Sequence, residues 1–175
     1  MHYAHKNIIR ICNRPFKDVV EMRESLIKNW NDVVTDQDSV YVLGDFSFEK
    51  NDEDTANILN RLNGQKFLVL GNHDNHLKSK SLSKFSWVKN YYELRDGNNK
   101  LVLFHFPIQT WNKGHHGSYH LHGHVHDSHN DCKIRRYDVG VDVINHNYAP
   151  VSLDDIYDRL KNATDVRHHY YKEEI

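Results

Sequence analysis

The sequence predicts an α/β fold in which mixed β-sheets are flanked by helices. Helical and strand-type hydrophobic patterns alternate in the first part of the chain, whereas strand patterns cluster in the second part. Alternation favours a sheet covered by helices, and the later cluster favours a mixed sheet or a second sheet. With 175 residues, the chain is long enough for one domain with a hydrophobic core, so a single domain over 1–175 is expected.

Apolar residues at helical spacing predict three helices. The clearest pattern places Met22, Leu26 and Trp30 on one face of a helix that follows Pro15. Residues of the N-cap type precede the other two patterns. The predicted helices cover 18–33, 51–62 and 153–161, and the charged segment that follows them to 175 is expected to fray.

Short apolar runs that stop at glycine or at a polar residue predict strands. The predicted strands cover 40–43, 66–70, 91–94, 101–104, 119–122, 133–137 and 139–143. Between them, 72–90 is expected to be irregular with a short helix, and 108–118 is expected to be a surface loop.

Composition indicates a cytoplasmic protein without a membrane partner. The formal net charge is −1, no apolar stretch has the length of a membrane span, and the first residues contain no hydrophobic signal region. The near-neutral charge also disfavours long nucleic acid as a partner. Cys12 and Cys132 lie far apart without a Cys-x-x-Cys spacing, so free thiols that bind no metal are expected.

Several predicted strands end at residues that commonly bind metals. Asp45, Asn72 and His105 each follow an apolar run, and His124 and His126 follow the run at 119–122. Each residue alone has an ordinary explanation as a turn, cap or core residue. Together they predict one site, because ligands of open α/β sheets bind beyond the carboxyl ends of the strands.

The ligand types predict a catalytic site with two divalent ions. Carboxylate, amide and imidazole ligands suit manganese, iron, zinc or nickel, with manganese the first choice. One carboxylate with ligands on either side can bridge two ions, and two ions 3.5–4 Å apart can bind a phosphate and hold a hydroxide between them.

Four blocks of the sequence resemble the motifs of the calcineurin-like metallophosphoesterases. They are Gly44-Asp45, Gly71-Asn72-His73-Asp74, His105 and Gly123-His124-Val125-His126, in the order found in that family. The resemblance spans nearly the whole chain and is strongest to small bacterial and phage members. It implies an α/β/β/α sandwich and a metal-dependent hydrolysis of phosphate esters.

The resemblance also implies a role for each motif residue. Asp45 resembles the bridging carboxylate, and His73 the imidazole that acts as an acid or stabilises the transition state, with Asp74 orienting it. Asn72, His105 and His124 resemble ligands of the second metal, and His2 and His126 resemble ligands of the first. His5 and Arg14 are weaker candidates for contacts with substrate. A polar residue of the opening loop explains His5 equally well, and a surface or helix-packing arginine explains Arg14 better than a phosphate contact does.

The start of the chain departs from the family pattern. The family begins with a strand that ends in Asp-x-His, and His2 matches that histidine, so the aspartate and the strand would precede Met1. We expect that this sequence starts at an internal methionine of a longer protein; the alternative is a protein that lacks both the aspartate and the strand. With His2, Asp45 and His126 as ligands, the first metal is predicted to bind more weakly than the second.

Three functions are compatible with this pattern. The first is a phosphoesterase that acts on a small phosphodiester or phosphomonoester, with a nucleotide as one candidate substrate. The second is a nuclease, which the absence of lysine and arginine clusters disfavours. The third is a metal-binding scaffold without catalysis, which the absent aspartate favours and the catalytic-type His73 disfavours.

Overall fold

A computed structural model describes residues 1–126, 132–143 and 146–166, and every structural statement below refers to these residues. They form five α-helices and seven strands. The helices are α1 (Lys6–Ile11), α2 (Val19–Val33), α3 (Asp52–Asn60), α4 (Ser79–Leu82) and α5 (Leu153–Arg159). The strands are β1 (Ser39–Val42), β2 (Gln65–Val69), β3 (Val88–Lys89), β4 (Tyr92–Asp96), β5 (Asn99–Leu103), β6 (Tyr119–His122) and β7 (Arg136–Asp138).

The strands form two sheets, and this confirms the predicted α/β class with mixed pairing. The first sheet has the order β1-β2-β3 and is parallel throughout. The second has the order β4-β5-β6-β7, in which β4 and β5 are antiparallel and the other pairs are parallel. The turn at Gly97 joins β4 to β5, as its Asp-Gly-Asn-Asn sequence predicts.

Two hydrophobic clusters hold the sheets and helices together. The larger one packs α2, through Met22, Leu26 and Trp30, against the first sheet. The second contains Val69 from the first sheet and Leu103 from the second, together with residues of α5. The neighbouring residues Leu68 and Val69 of β2 belong to different clusters, because successive strand residues point to opposite faces of a sheet. The first sheet therefore lies between the two clusters.

The long helix α2 forms where the apolar spacing predicts it. Its N-cap Asp18 accepts hydrogen bonds from the backbone N–H groups of Val20 and Glu21, both at 2.9 Å. These bonds satisfy donors that have no partner within the helix. α3 and α5 also begin where predicted and end two residues before the predicted limits.

The structure differs from the sequence predictions near the start of the chain and around β7. α1 was not predicted, and its only fully buried residue is Ile8, so its apolar pattern is weak. The predicted strand at 139–143 forms turns, because Gly140 and Val143 make a local backbone hydrogen bond of 3.2 Å instead of extending β7. The predicted strand at 133–137 is present only as β7. Residues 167–175 lie outside the described part, so their predicted fraying stays a prediction.

The first residues of the chain run beside the loop that follows β1. The backbone N–H of His2 donates to Asp45 and that of Tyr3 donates to Phe46, over 2.9 and 3.1 Å, and an isolated parallel bridge joins Tyr3 to Ser47. Among the described strands, β1 lies at the edge of its sheet. No helix of the described residues combines the length and apolar character that crossing a bilayer requires.

Candidate metal centre

The first group of candidate ligands, called the carbonyl side below, consists of Asn72, His105 and His124. Nδ1 of His105 donates to the backbone carbonyl of Leu43 over 2.7 Å, so Nε2 is the nitrogen that faces the site. This Nε2 lies 3.0 Å from Oδ1 of Asn72 and 3.4 Å from Oδ2 of Asp45. Ligand atoms of Asp45, His105 and His124 all lie within 4.8 Å of one another.

The second nitrogen of His105 therefore faces two oxygen acceptors. A carboxylate and an amide oxygen accept hydrogen bonds but do not donate them, so this arrangement needs a proton on Nε2 or a cation among these atoms. Burial opposes the charged form of His105, but its hydrogen bonds to Asp45 and Leu43 prevail and raise its pKa. Because carboxylate, amide and imidazole are ligands of divalent transition metals, the donor set fits such an ion.

The second group, called the arginine side below, consists of His2 and His126 with Arg14 and Asp142. The ring centroids of His2 and His126 lie 4.9 Å apart, and Nε2 of His2 lies 3.5 Å from Oδ2 of Asp45. Nδ1 of His126 bonds to Oδ2 of Asp142 over 2.7 Å. Arg14 donates from Nε and Nη2 to the two oxygens of Asp142, over 2.6 and 2.9 Å.

Asp45 lies between the two sides and is ionised. Burial would raise the pKa of its carboxyl group, but hydrogen bonds from His105, His2 and the backbone of His73 hold that pKa well below its usual range. Burial lowers the pKa of His2 to about 3, against the opposing hydrogen bond to Asp45. Burial also lowers the pKa of His124. An ionised carboxylate beside the neutral imidazoles of His2 and His124 provides ligand atoms that a divalent cation can bind.

His73 lies at the mouth of the site. The residue is exposed, and its backbone N–H donates to Oδ1 of Asp45 over 2.9 Å. Its ring centroid lies 4.9 Å from that of Phe48 and 6.3 Å from that of His2. The backbone is thus tied to the bridging candidate while the imidazole stays accessible to a ligand.

Asp74 differs from its predicted role of orienting the imidazole of His73. Its buried carboxylate accepts three backbone hydrogen bonds, from Asp45 and Gly71 to Oδ2 at 2.9 and 2.8 Å and from Phe46 to Oδ1 at 3.0 Å. Hydrogen bonds to a carboxylate are stronger than those between neutral groups. Asp74 therefore joins the loop after β1 to the loop after β2, and it positions the loops and not the His73 ring.

Two glycines permit this close approach of the loops. Gly44 has φ +84°, and a Cβ atom there would overlap Nδ1 of His105 and lie 2.6 Å from Cα of Gly71. A Cβ atom at Gly71 would overlap Oδ1 of Asp45 and lie 2.6 Å from its backbone N. Only glycine fits at either position without displacing a candidate ligand.

Four of the six predicted metal ligands have left-handed backbone conformations. The φ angles are +63° at His2, +52° at Asp45, +72° at His124 and +48° at His126. Residues other than glycine adopt this region rarely, and such conformations concentrate at functional sites. The ligand positions are therefore set by the backbone as well as by side-chain contacts.

Each side of the site also has one phenylalanine. Phe48 stacks on His2 with centroids 5.3 Å apart and an interplanar angle of 18°. Phe106 contacts His105 and His124 edge-on, at 4.8 and 4.7 Å and at angles of 82° and 62°.

A cavity of about 460 Å³ adjoins both sides of the site. Its lining includes five candidate ligands and several apolar side chains: His2, Asp45, His105, His124, His126, Val42, Leu103, Leu121, Val141 and Ile156.

Arg14 and His5, the two weaker candidates for contacts with substrate, differ in their surroundings. The side chain of Arg14 is fully buried, and its remaining nitrogen Nη1 donates to the carbonyl of Met1 over 3.1 Å. Because its donors are committed inside the protein, Arg14 is not a substrate contact, and the alternative of a packing arginine is correct. His5 lies beside the site, with its ring centroid 4.2 Å from that of Phe48, and burial lowers its pKa. Its predicted contact with substrate stays a prediction.

Sequence reasoning did not identify Asp142. It lies in the apolar run at 139–143 that was interpreted as a strand. A carboxylate within such a run was the signal, because buried carboxylates need a partner. The partner, Arg14, is 128 residues away, so the sequence alone did not reveal the pair.

Comparisons with known proteins identify relatives over nearly the whole chain. No protein-family model matches it. It is 28% identical over 193 residues to the Gene 66 protein of Mycobacterium phage L5, which covers 93% of this chain and 91% of that protein. Among solved structures, it is similar to the crystal structure of the protein of unknown function AQ665 from Aquifex aeolicus. That similarity has a TM-score of 0.68 and 26% identity over 90% of this chain and 94% of the other.

A further relative is similar enough to define a family. The uncharacterized protein MJ1445 of Methanocaldococcus jannaschii is 39% identical over 173 residues, which is 95% of this chain and 90% of that protein. The names of these relatives assign no activity. The chain belongs to the same family as MJ1445.

Proposed function

We propose that this protein is a metal-dependent phosphoesterase with the α/β/β/α sandwich of the calcineurin-like metallophosphoesterases. The proposal depends on one observation above all others. Nε2 of His105 faces the oxygens of Asn72 and Asp45 at 3.0 and 3.4 Å, an arrangement that a cation completes. The order of the four sequence motifs, which resembles that of the metallophosphoesterases, supports hydrolysis of phosphate esters as the reaction at this site.

The residues divide into two sets of ligands around Asp45. Its Oδ2 lies 3.4 Å from His105 on the carbonyl side and 3.5 Å from His2 on the arginine side. When bound, two divalent ions supply charge that binds phosphate oxygens and activates water for in-line attack. Manganese is the first choice, and iron, zinc and nickel are alternatives, because the ligands are oxygen and nitrogen atoms.

His73 is the candidate for proton transfer. Its imidazole is exposed at the mouth, and its backbone is anchored to Asp45. An imidazole at this place can donate a proton to the leaving oxygen or stabilise charge on it. Asp74 contributes indirectly, since its carboxylate fixes the loops that hold Asp45 and His73.

The proposed substrate is a small phosphodiester or phosphomonoester, with a nucleotide as one candidate. The half-exposed ring of Phe106 lies beside His105 and His124, where a planar group of the substrate can stack. The net charge of −1 provides no broad attraction for long nucleic acid. The nuclease alternative therefore has less support.

The test is hydrolysis of an aryl phosphodiester by the metal-free protein after addition of Mn²⁺. We expect turnover that depends on Mn²⁺ and is abolished by a chelator. His73→Ala should lower kcat by about 10²- to 10⁴-fold while Mn²⁺ affinity is retained. His116→Ala is the matched control, because this exposed histidine lies outside both sides of the site.

Three outcomes would contradict parts of the proposal. Binding of Mn²⁺ without hydrolysis of any phosphate ester would favour the scaffold alternative. Normal turnover of His73→Ala would remove this residue from the mechanism. A wild-type protein that binds none of the four candidate metals would overturn the proposal as a whole.

A further inference from the structure

The arginine side contains a buried ion pair whose carboxylate also bonds a candidate ligand. Arg14 has a fully buried side chain and donates two hydrogen bonds to Asp142, which is 6% exposed. The same carboxylate bonds Nδ1 of His126 over 2.7 Å. Both oxygens of Asp142 therefore accept hydrogen bonds from a permanently charged guanidinium group, which is the arrangement of a carboxylate ion pair.

These bonds determine which nitrogen of His126 is available to a metal. An ionised carboxylate accepts hydrogen bonds only, so Nδ1 of His126 carries the proton and donates it to Asp142. Nε2 then keeps its lone pair. A carboxylate that accepts from one ring nitrogen also makes the other nitrogen a better metal ligand and fixes the orientation of the ring.

Arg14 reaches the second ligand of this side as well. Its Nη1 donates to the carbonyl of Met1 over 3.1 Å, and Met1 directly precedes His2. The backbone N–H of His2 donates to Asp45 over 2.9 Å. One guanidinium group therefore fixes the backbone before His2 and, through Asp142, the ring of His126.

The cluster around Asp142 is not itself a metal site. Ligand atoms of Cys12, His126 and Asp142 lie within 4.8 Å of one another, which resembles a binding site for a cation. However, Arg14 already occupies both oxygens of Asp142 and places a buried positive charge there. Burial also raises the pKa of the Cys12 thiol to about 11, so the thiolate that binds metals is scarce.

We propose that Arg14 and Asp142 are positioning residues that set the tautomer and orientation of His126 and thereby the affinity of the first metal. This inference depends on the proposed function, because it assigns a role toward the ion of the arginine side. A purely structural ion pair would affect stability and leave both the tautomer and the metal affinity unchanged.

The test substitutes Asp142→Asn and follows two properties. An amide offers one acceptor oxygen to the three donors of Arg14 and His126. The shorter Arg14 bond, from Nε to Oδ1 at 2.6 Å, favours the amide oxygen at the Oδ1 position, so the NH₂ group takes the Oδ2 position and donates to Nδ1 of His126. In the metal-free protein, ¹⁵N NMR of the histidines should show that His126 loses its Nδ1–H tautomer. The signal is assigned by comparison with His126→Gln.

The second property is the affinity for Mn²⁺, measured by calorimetric titration. The wild type should bind two ions, and Asp142→Asn should weaken one of them by about 10- to 100-fold without changing the other. Asp165→Asn is the matched control, because Asp165 also accepts from an arginine, Arg135, but at the exposed surface. Both its NMR spectrum and its Mn²⁺ affinities should equal those of the wild type.

The outcomes separate this inference from the proposed function. Two normal Mn²⁺ affinities in folded Asp142→Asn, or an unchanged His126 tautomer, would overturn the inference alone. Failure of the wild type to bind any ion would overturn the proposed function and the metal part of the inference. If Asp142→Asn does not fold, Arg14→Lys tests the metal part alone, since lysine keeps the charge but loses the two-pronged hydrogen bonding that holds Asp142 against His126. One Mn²⁺ affinity should again fall, and two normal affinities would overturn the inference.

Discussion

The two sides of the candidate centre hold their histidines by different means. On the carbonyl side, the anchor of His105 is the neutral backbone carbonyl of Leu43, whereas on the arginine side the anchor of His126 is the charged carboxylate of Asp142. A backbone carbonyl cannot be removed by substitution, but a carboxylate depends on its own partner, here Arg14. We therefore expect substitutions outside the ligand set to change the metal affinity of the arginine side more than that of the carbonyl side.

The difference does not extend to the backbone. Left-handed residues occur on both sides, at His2 and His126 and at His124, and at Asp45 between them. Conformations of this kind cost about 1–3 kcal/mol each when the residue is not glycine. Both halves are thus held in unfavourable backbone geometry, and only the side-chain anchors distinguish them.

Asp45→Asn should have the largest effect, because both sides share this carboxylate. The amide keeps the shape but loses the charge that faces His2 and His105 at 3.5 and 3.4 Å. We expect loss of both Mn²⁺ binding steps in calorimetric titration and loss of phosphoesterase turnover. A variant that still binds one ion would show that only one side uses Asp45.

The pair His105→Gln and His126→Gln separates the two sides. We expect His126→Gln to remove the weaker Mn²⁺ step and His105→Gln to remove the tighter one. Each loss should exceed the roughly 100-fold effect expected for a residue outside the ligand set. Thermal unfolding of both variants checks that the fold is retained. If either substitution abolished both steps equally, the division into two sides would be wrong.

Asp74→Asn should weaken both sides together by a smaller amount. It removes the charged acceptor of three backbone hydrogen bonds, so the free energy of unfolding of the metal-free protein should fall by about 2–3 kcal/mol. Denaturant unfolding measures this change. Asp52→Asn is the control, since Asp52 accepts backbone hydrogen bonds from Lys78 and Lys80 away from the site. Unequal weakening of the two Mn²⁺ binding steps in Asp74→Asn would show that the hydrogen bonds of Asp74 support one side of the site only.

The smallest predicted effect is a change in KM that occurs on substitution of Phe106 but not of Phe48. Phe48 already stacks on His2, whereas the half-exposed Phe106 makes no stacked contact with His105 or His124. Phe106→Leu should therefore raise KM for a nucleotidyl ester by about 3- to 10-fold relative to a methyl ester, as loss of one stacked base predicts. Phe48→Leu should leave this ratio unchanged, and the reverse result would move the planar group to the arginine side.

The sequence predicts the carbonyl side better than the arginine side, for a physical reason. Asn72 and His105 follow apolar runs that form β2 and β5, and the ends of packed strands bring such residues together. The arginine side instead depends on Arg14, which lies in an irregular segment after α1, and on Asp142, which lies in a turn although its apolar neighbours favour a strand. Periodicity reveals strands and helices, but it contains no information about a pairing across most of the chain.

The role of Asp74 and the left-handed backbone at His124 and His126 also could not be predicted from the sequence. The role of Asp74 follows from backbone donors that face its carboxylate, and a motif names the residue without showing its hydrogen bonds. Left-handed angles at His124 and His126 oppose the preference of histidine, so local propensity predicts the wrong backbone there. Conflicts between local preference and final structure are expected at functional sites.

The separation of 128 residues between Arg14 and Asp142 has a consequence for synthesis. Chains emerge from the ribosome N-terminus first, and contacts that span a long segment form late. Leu43 and His105 are only 62 residues apart, so their hydrogen bond can form before Asp142 emerges from the ribosome. A nascent chain can therefore assemble the carbonyl side with the guanidinium of Arg14 still hydrated, and it completes its second half-site only after residue 142 has emerged.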